Sequence, residues 1–78
     1  MSMAEPHVLD AKGLKCPLPV LRARKAMKDV PAGGILIVLA TDPGAPKDFE
    51  AFARATGHAL LSSKEENGVF TFELKRAG

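Results

Sequence analysis

The chain has 78 residues, eleven Lys and Arg against nine Asp and Glu, a net charge of +2 and one cysteine. That is enough for one domain, expected over residues 1–78 with an ordered core over about 7–76, and too little charge to argue nucleic-acid binding. No segment reaches the roughly 18 apolar residues of a membrane span, "MSMAEPHVLD" lacks the basic and apolar regions of a signal peptide, and a lone thiol stays reduced in the cytoplasm, so a soluble cytoplasmic protein is expected.

His7 to Asp10 reads as a first strand that closes on a turn at Gly13. From Pro17 the spacing becomes helical: Val20, Ala23 and Met27 share a face with Leu21 beside them, and "DVPAGG" ends the helix. Ile35 to Ala40 is an aliphatic, β-branched run that suits a strand buried on both faces or a central strand of a mixed sheet. "TDPGAP" makes a turn, Pro46 suits the first helical position, and Asp48 in the first turn complements the helix dipole. Phe49, Phe52 and Ala53 keep helical spacing up to a left-handed stop at Gly57. "HALLSSKE" and "VFTFELK" are the last strands, joined at Asn67-Gly68, a strong short-hairpin signal. In the last strand Phe70, Phe72 and Leu74 are expected to face the core. The order β-α-β-α-β-β, with right-handed crossovers, implies a two-layer α+β sandwich with both helices on one face.

Charge is unevenly spread. Lys12, Lys15, Arg22, Arg24, Lys25 and Lys28 fall in a stretch without an acidic residue, whereas Asp42, Asp48, Glu50, Glu65, Glu66 and Glu73 come later. The surroundings of Cys16 are therefore expected to be positive, either as a solvated helix face or as a docking surface for an acidic partner or RNA phosphates.

In "GLKCPLPVLRARKAM" the only thiol stands between a glycine turn and two prolines. Read as the N-cap, Cys16 is pushed out of the α region by Pro17. Pro17 then falls at N1 and Pro19 at N3, where the missing donors cost little. The free donors nearest the sulfur would be those of Leu18 and Val20. The helix end and Lys15 are expected to lower the pKa of this exposed thiol below the roughly 8.5 of a free cysteine.

A dithiol cycle needs a second cysteine, one Cys and two His lack metal-ligand spacing, and no cofactor motif is present. His7 lies at the far end of its strand and His58 follows a helix stop, so neither is expected beside Cys16 as a base. Cys16 alone can accept and hand on a group by thiol exchange.

"LDAKGLKCPLPVLRARKAM" and "ATDPGAPKDFEAFARATGHALL" resemble the TusA/SirA family of small sulfur-carrier proteins, marked by a Gly-x-x-Cys-Pro-x-Pro motif opening the first helix. The likeness runs from His7 to Arg76. It implies a four-stranded mixed sheet with two helices on one face, like the C-terminal domain of translation initiation factor three. It also implies that Cys16 accepts sulfane sulfur as a persulfide from a cysteine desulfurase or a rhodanese-type protein. A downstream acceptor then takes it, in tRNA 2-thiouridine formation, sulfur oxidation or molybdenum-cofactor pathways. Gly13, Pro17 and Pro19 carry over as structural motif residues, and Asp42 and Pro43 as a turn. Leu18 stands where some members have a carboxylate, which suggests a different partner surface.

Lys15, Arg22, Arg24, Lys25 and Lys28 form the expected docking surface, although they spread around the helix. A monomer suits a carrier that docks with successive partners. The competing readings are a regulatory or RNA-binding module, which lacks an aromatic stacking platform, and a redox sensor, which lacks a resolving cysteine.

Overall fold

The structure, a computed structural model, describes residues 7–77. Most of the stretch read above for a signal peptide lies outside them. The elements are β1 (His7–Ala11), α1 (Leu18–Met27), β2 (Ile35–Ala40), α2 (Ala45–Thr56), β3 (Ala59–Glu66) and β4 (Val69–Lys75).

The four strands form one mixed sheet in the order β1-β2-β4-β3. β1 and β2 are parallel, with His7 opposite Leu36 and Ala11 opposite Ala40. β4 runs antiparallel to both β2 and β3. β2 is thus a central strand of a mixed sheet, but it is not buried on both faces. Leu36, Val38 and Ala40 are buried, whereas Ile35, Ile37 and Leu39 are half-buried on the open face. Such alternation is the mark of a sheet covered on one side only.

The covered side holds one core. Ala11, Leu36, Val38, Ala40, Phe72 and Leu74 from the sheet meet Ala23 and Met27 from α1 and Ala45, Phe49 and Phe52 from α2. Phe49 stacks on Phe72 with ring centroids 4.5 Å apart and meets Phe52 edge-on at 6.2 Å, two geometries that aromatic pairs favour. Phe70 packs at the margin of this cluster. Leu21, expected beside the core face of α1, is instead exposed, while Pro19 is buried.

Two turns follow from their residues. Gly57 ends α2 at φ 83° and donates its N–H to the carbonyl of Ala53 at 2.9 Å. Asn67 and Gly68 both take positive φ, as a tight hairpin turn requires, and they hold Glu66 opposite Val69. At the far end of α1, the Arg76 guanidinium donates to the carbonyls of Met27, at 3.2 Å, and Val30. It adds a donor to the carbonyl of Met27, the last helical residue, which also accepts the N–H of Val30 at 3.1 Å, and to the Val30 carbonyl in the turn that follows. Among the described residues no helix is long and apolar enough to cross a membrane.

Candidate functional site

Because β1 and β2 run in parallel, both end at the same edge of the sheet, and both helices begin there. The two strand-to-helix turns are tied together. Gly13, at φ 84°, donates its N–H to Oγ1 of Thr41 at 2.9 Å. A side chain there would be strained, since L-residues rarely adopt this conformation. In the second turn, Oδ2 of Asp42 accepts the N–H of Gly44 at 2.9 Å, and the Asp42 carbonyl accepts that of Ala45 at 3.0 Å. Pro43 is exposed within this turn. Asp42 thus closes a local side-chain turn of the kind that starts a helix. A Cβ on Gly44 would lie 3.9 Å from Cβ and 4.0 Å from Sγ of Cys16, so the second turn packs against the cysteine of the first.

Cys16 is exposed and precedes a cis peptide bond to Pro17. It is not the N-cap. α1 starts at Leu18, Pro17 is the N-cap and Pro19 falls at N2, one place earlier than expected. The first helical hydrogen bond runs from the N–H of Leu21 to the carbonyl of Pro17, at 3.1 Å. The N–H of Leu18, expected to be free near the sulfur, donates to the carbonyl of Lys15 at 2.8 Å. The thiol therefore stands one residue outside the helix mouth, where the helix dipole acts more weakly.

Its electrostatic setting is also the reverse of the expected one. The Sγ–H donates to Oδ2 of Asp48, in the first turn of α2. That hydrogen bond, with desolvation and the negative charges of Asp48 and Asp42, pushes the Cys16 thiol up to about 11. A hydrogen bond from the protonated form and nearby like charge both disfavour the thiolate. Linear charge counting placed Cys16 among cations, but the fold sets it between two carboxylates from the next turn and helix. In the sequence Asp48 signals only its complement to the helix dipole. The signal that could have found it is an acid in the first turn of a helix that follows a strand parallel to the one leading into the cysteine.

The expected docking residues are all exposed, and they divide into two sides. Arg22 and Lys25 rim an open groove of about 710 Å³ between α1 and β1, whose walls include Leu9, Leu18 and Leu21. Arg24 lines a smaller groove of about 260 Å³ between α1 and α2, together with Pro17 and Asp48. Lys28 caps the far end of α1. Lys15 lies in the turn with Cys16. His7 sits at the opposite end of β1 from Cys16, and Nδ1 of His58 accepts the N–H of Ala77 at 2.9 Å.

Among the described residues the Cys16 thiol is exposed, its hydrogen-bond partner is Asp48, and neither histidine contacts it. Residues 7–76 match the family described as sulfurtransferase TusA. A protein of Neisseria meningitidis serogroup A is 64% identical over 65 residues, which cover 83% of this chain and 88% of the relative. The sulfur carrier protein TusA of Allochromatium vinosum is 55% identical over 69 residues, covering 88% and 91% respectively. The crystal structure of a SirA-like protein from Desulfitobacterium hafniense superposes with a TM-score of 0.78 at 29% identity, covering 91% of this chain and 97% of that one. The chain belongs to the TusA family of sulfur carriers.

Proposed function

We propose that Cys16 carries sulfane sulfur as a persulfide and relays it from a donor protein to an acceptor. The single observation that carries this reading is the exposed position of the only thiol, at the corner where both helices begin, in a chain of the sulfur-carrier family. Sγ of Cys16 attacks the outer sulfur of a donor persulfide. An S–S bond forms on Cys16 as the donor's S–S bond breaks, and the donor leaves as a thiolate that takes up a proton. No external oxidant or reductant is consumed. The second transfer repeats this exchange, with Cys16 as the leaving thiolate.

The remaining roles follow from position. Gly13, Asp42 and Pro43 shape the two turns, and Pro17 and Pro19 stiffen the start of α1 so that the sulfur stands clear. Arg22 and Lys25, beside exposed Leu18 and Leu21, form the larger docking flank for an acidic partner surface, with Lys15, Arg24 and Lys28 on the other sides of the helix. The donor is a cysteine desulfurase or a rhodanese-type protein, the setting is cytoplasmic, and the acceptor lies in tRNA thiolation, sulfur oxidation or molybdenum-cofactor formation. No observation favours an RNA-binding module, since Phe49, Phe52 and Phe72 are buried and Phe70 is half-buried.

The test is loading by a small-molecule persulfide, followed by release to a protein or low-molecular-weight thiol. Cys16 should gain one sulfur atom and lose it to the thiol. A Cys16→Ser variant that also gained it would overturn the assignment.

A further inference from the structure

Among the described residues neither Asp48 nor Asp42 forms an ion pair. Among the described residues the ion pair is that of Lys12 with Asp10, in the first turn. Lys47, beside Asp48 on α2, Lys15, in the turn before α1, and Arg24, on the α1 wall of the small groove, are the basic groups nearby besides Lys12, which pairs with Asp10, and none forms an ion pair with these acids. Asp48 touches the sulfur, and the Asp42 turn packs against it through Gly44. A protein that brings its own sulfur onto Sγ must cover both carboxylates. Covering a carboxylate without a compensating charge is strongly unfavourable.

We propose that Asp48 is the positioning residue for Cys16 and, with Asp42, the point at which a sulfur partner is recognised, through a Lys or Arg side chain that the partner places against these carboxylates. The proposal rests on the persulfide reading above for its biological setting, but its chemistry stands on the geometry of the corner. In the free carrier Asp48 accepts the Sγ–H and orients it, so the sulfur is a poor nucleophile toward passing electrophiles. A docked cation takes over the carboxylate and its charge. The thiol then ionises, and its proton is the one the departing donor thiolate takes up. Reactivity is thereby confined to the complex.

Two small disulfides test this without any partner protein: cystamine, whose ends are ammonium groups, and neutral 2-hydroxyethyl disulfide. In each case a mixed disulfide forms on Cys16, the reagent S–S bond breaks and one thiol is released. Rates are divided by those of N-acetylcysteine amide, a neutral thiol, to remove the reagents' intrinsic difference. At low salt the wild-type protein should prefer cystamine by about tenfold over that reference, and the preference should shrink with added salt. Asp48→Asn should abolish it, Asp42→Asn should reduce it and Asp48→Glu should retain part of it.

With neutral iodoacetamide near pH 7.5, Asp48→Asn should react at least about tenfold faster than wild type. An equal cystamine ratio in wild type and Asp48→Asn, or no gain in alkylation in that variant, overturns the proposal. Asp48→Glu keeps the test decisive should the asparagine variant melt early. If these results fail while a small-molecule persulfide still loads Cys16, the recognition proposal falls alone. If the charge preference holds while no persulfide is accepted, the sulfur-carrier chemistry falls instead.

Discussion

The Cys16 thiol, in the turn after β1, donates its hydrogen to Oδ2 of Asp48, in the first turn of α2 and 32 positions further along the chain. Parallel pairing of β1 with β2 brings them together, because it starts both helices at one edge of the sheet. The thiol and the carboxylate that accepts its hydrogen thus come from two separate strand-turn-helix units.

A pH profile follows directly. With the thiol pushed up to about 11, alkylation of Cys16 by iodoacetamide should rise about tenfold per unit from neutrality and bend only near that value. Folding stability should respond in the linked direction. The folded chain holds this proton more tightly than the unfolded one, so the stabilisation is fully present below the ordinary thiol value of roughly 8.5. It is lost as pH rises through about 11. The melting temperature of wild type should therefore fall relative to Cys16→Ser across that window. A reactivity profile that bends at the ordinary thiol value contradicts the Asp48 contact.

Charge reversal should separate docking from chemistry. Arg22→Glu combined with Lys25→Glu, on the flank that includes Leu18 and Leu21, should slow loading by a protein donor by about tenfold or more, mainly through association. Loading by a small-molecule persulfide should stay within about twofold, since neither side chain acts on the sulfur. Stopped-flow loading at two salt concentrations reads both. Equal slowing by both donors would place the effect on Cys16 itself.

At the opposite end of α1, Arg76→Ala leaves the Met27 and Val30 carbonyls without their side-chain donor. Urea unfolding should show a loss of about 1–3 kcal/mol. The alkylation rate of Cys16 under native conditions should not change, because the contact lies at the other end of the helix. A change in that rate would show that the two ends are coupled.

The core prediction concerns Phe72, which is fully buried and stacked on Phe49. Phe72→Ala should cost about 3–5 kcal/mol. A domain of this size commonly holds only about 5–15 kcal/mol in all, so circular dichroism should find the variant close to unfolding or partly unfolded near room temperature. A loss under about 1 kcal/mol would mean that the two-layer core does not depend on this stack.

Much of the fold was legible because local rules decide it. Strand and helix periods, the Asn67-Gly68 turn and the Gly57 stop each depend on neighbours within a few residues, and the structure has them where they are expected. Cys16 was equally visible, as a thiol framed by prolines. The run of Ile35 to Ala40 left two readings open because composition does not say whether one or both faces are covered. Leu21 was misjudged because Pro19 turns inward at the start of the helix, and the buried stripe runs through Pro19, Ala23 and Met27.

The setting of Cys16 was not legible, for a physical reason. Counting charges along the chain treats sequence distance as spatial distance. The cations near Cys16 in sequence are exposed or spread around a helix, while the two acids that matter arrive through strand pairing. A local rule about helix ends likewise placed the N-cap one residue early, and this overstated the pull of the helix dipole on the sulfur.

Whether Cys16 carries sulfur, as proposed, is read out by intact-protein mass spectrometry. The chain is incubated with a cysteine desulfurase and cysteine, beside its Cys16→Ser variant. Wild type should gain one sulfur atom, a gain reversed by reductant and absent from the variant. Failure of wild type to gain sulfur, both from the desulfurase and from a small-molecule persulfide, would contradict the proposal.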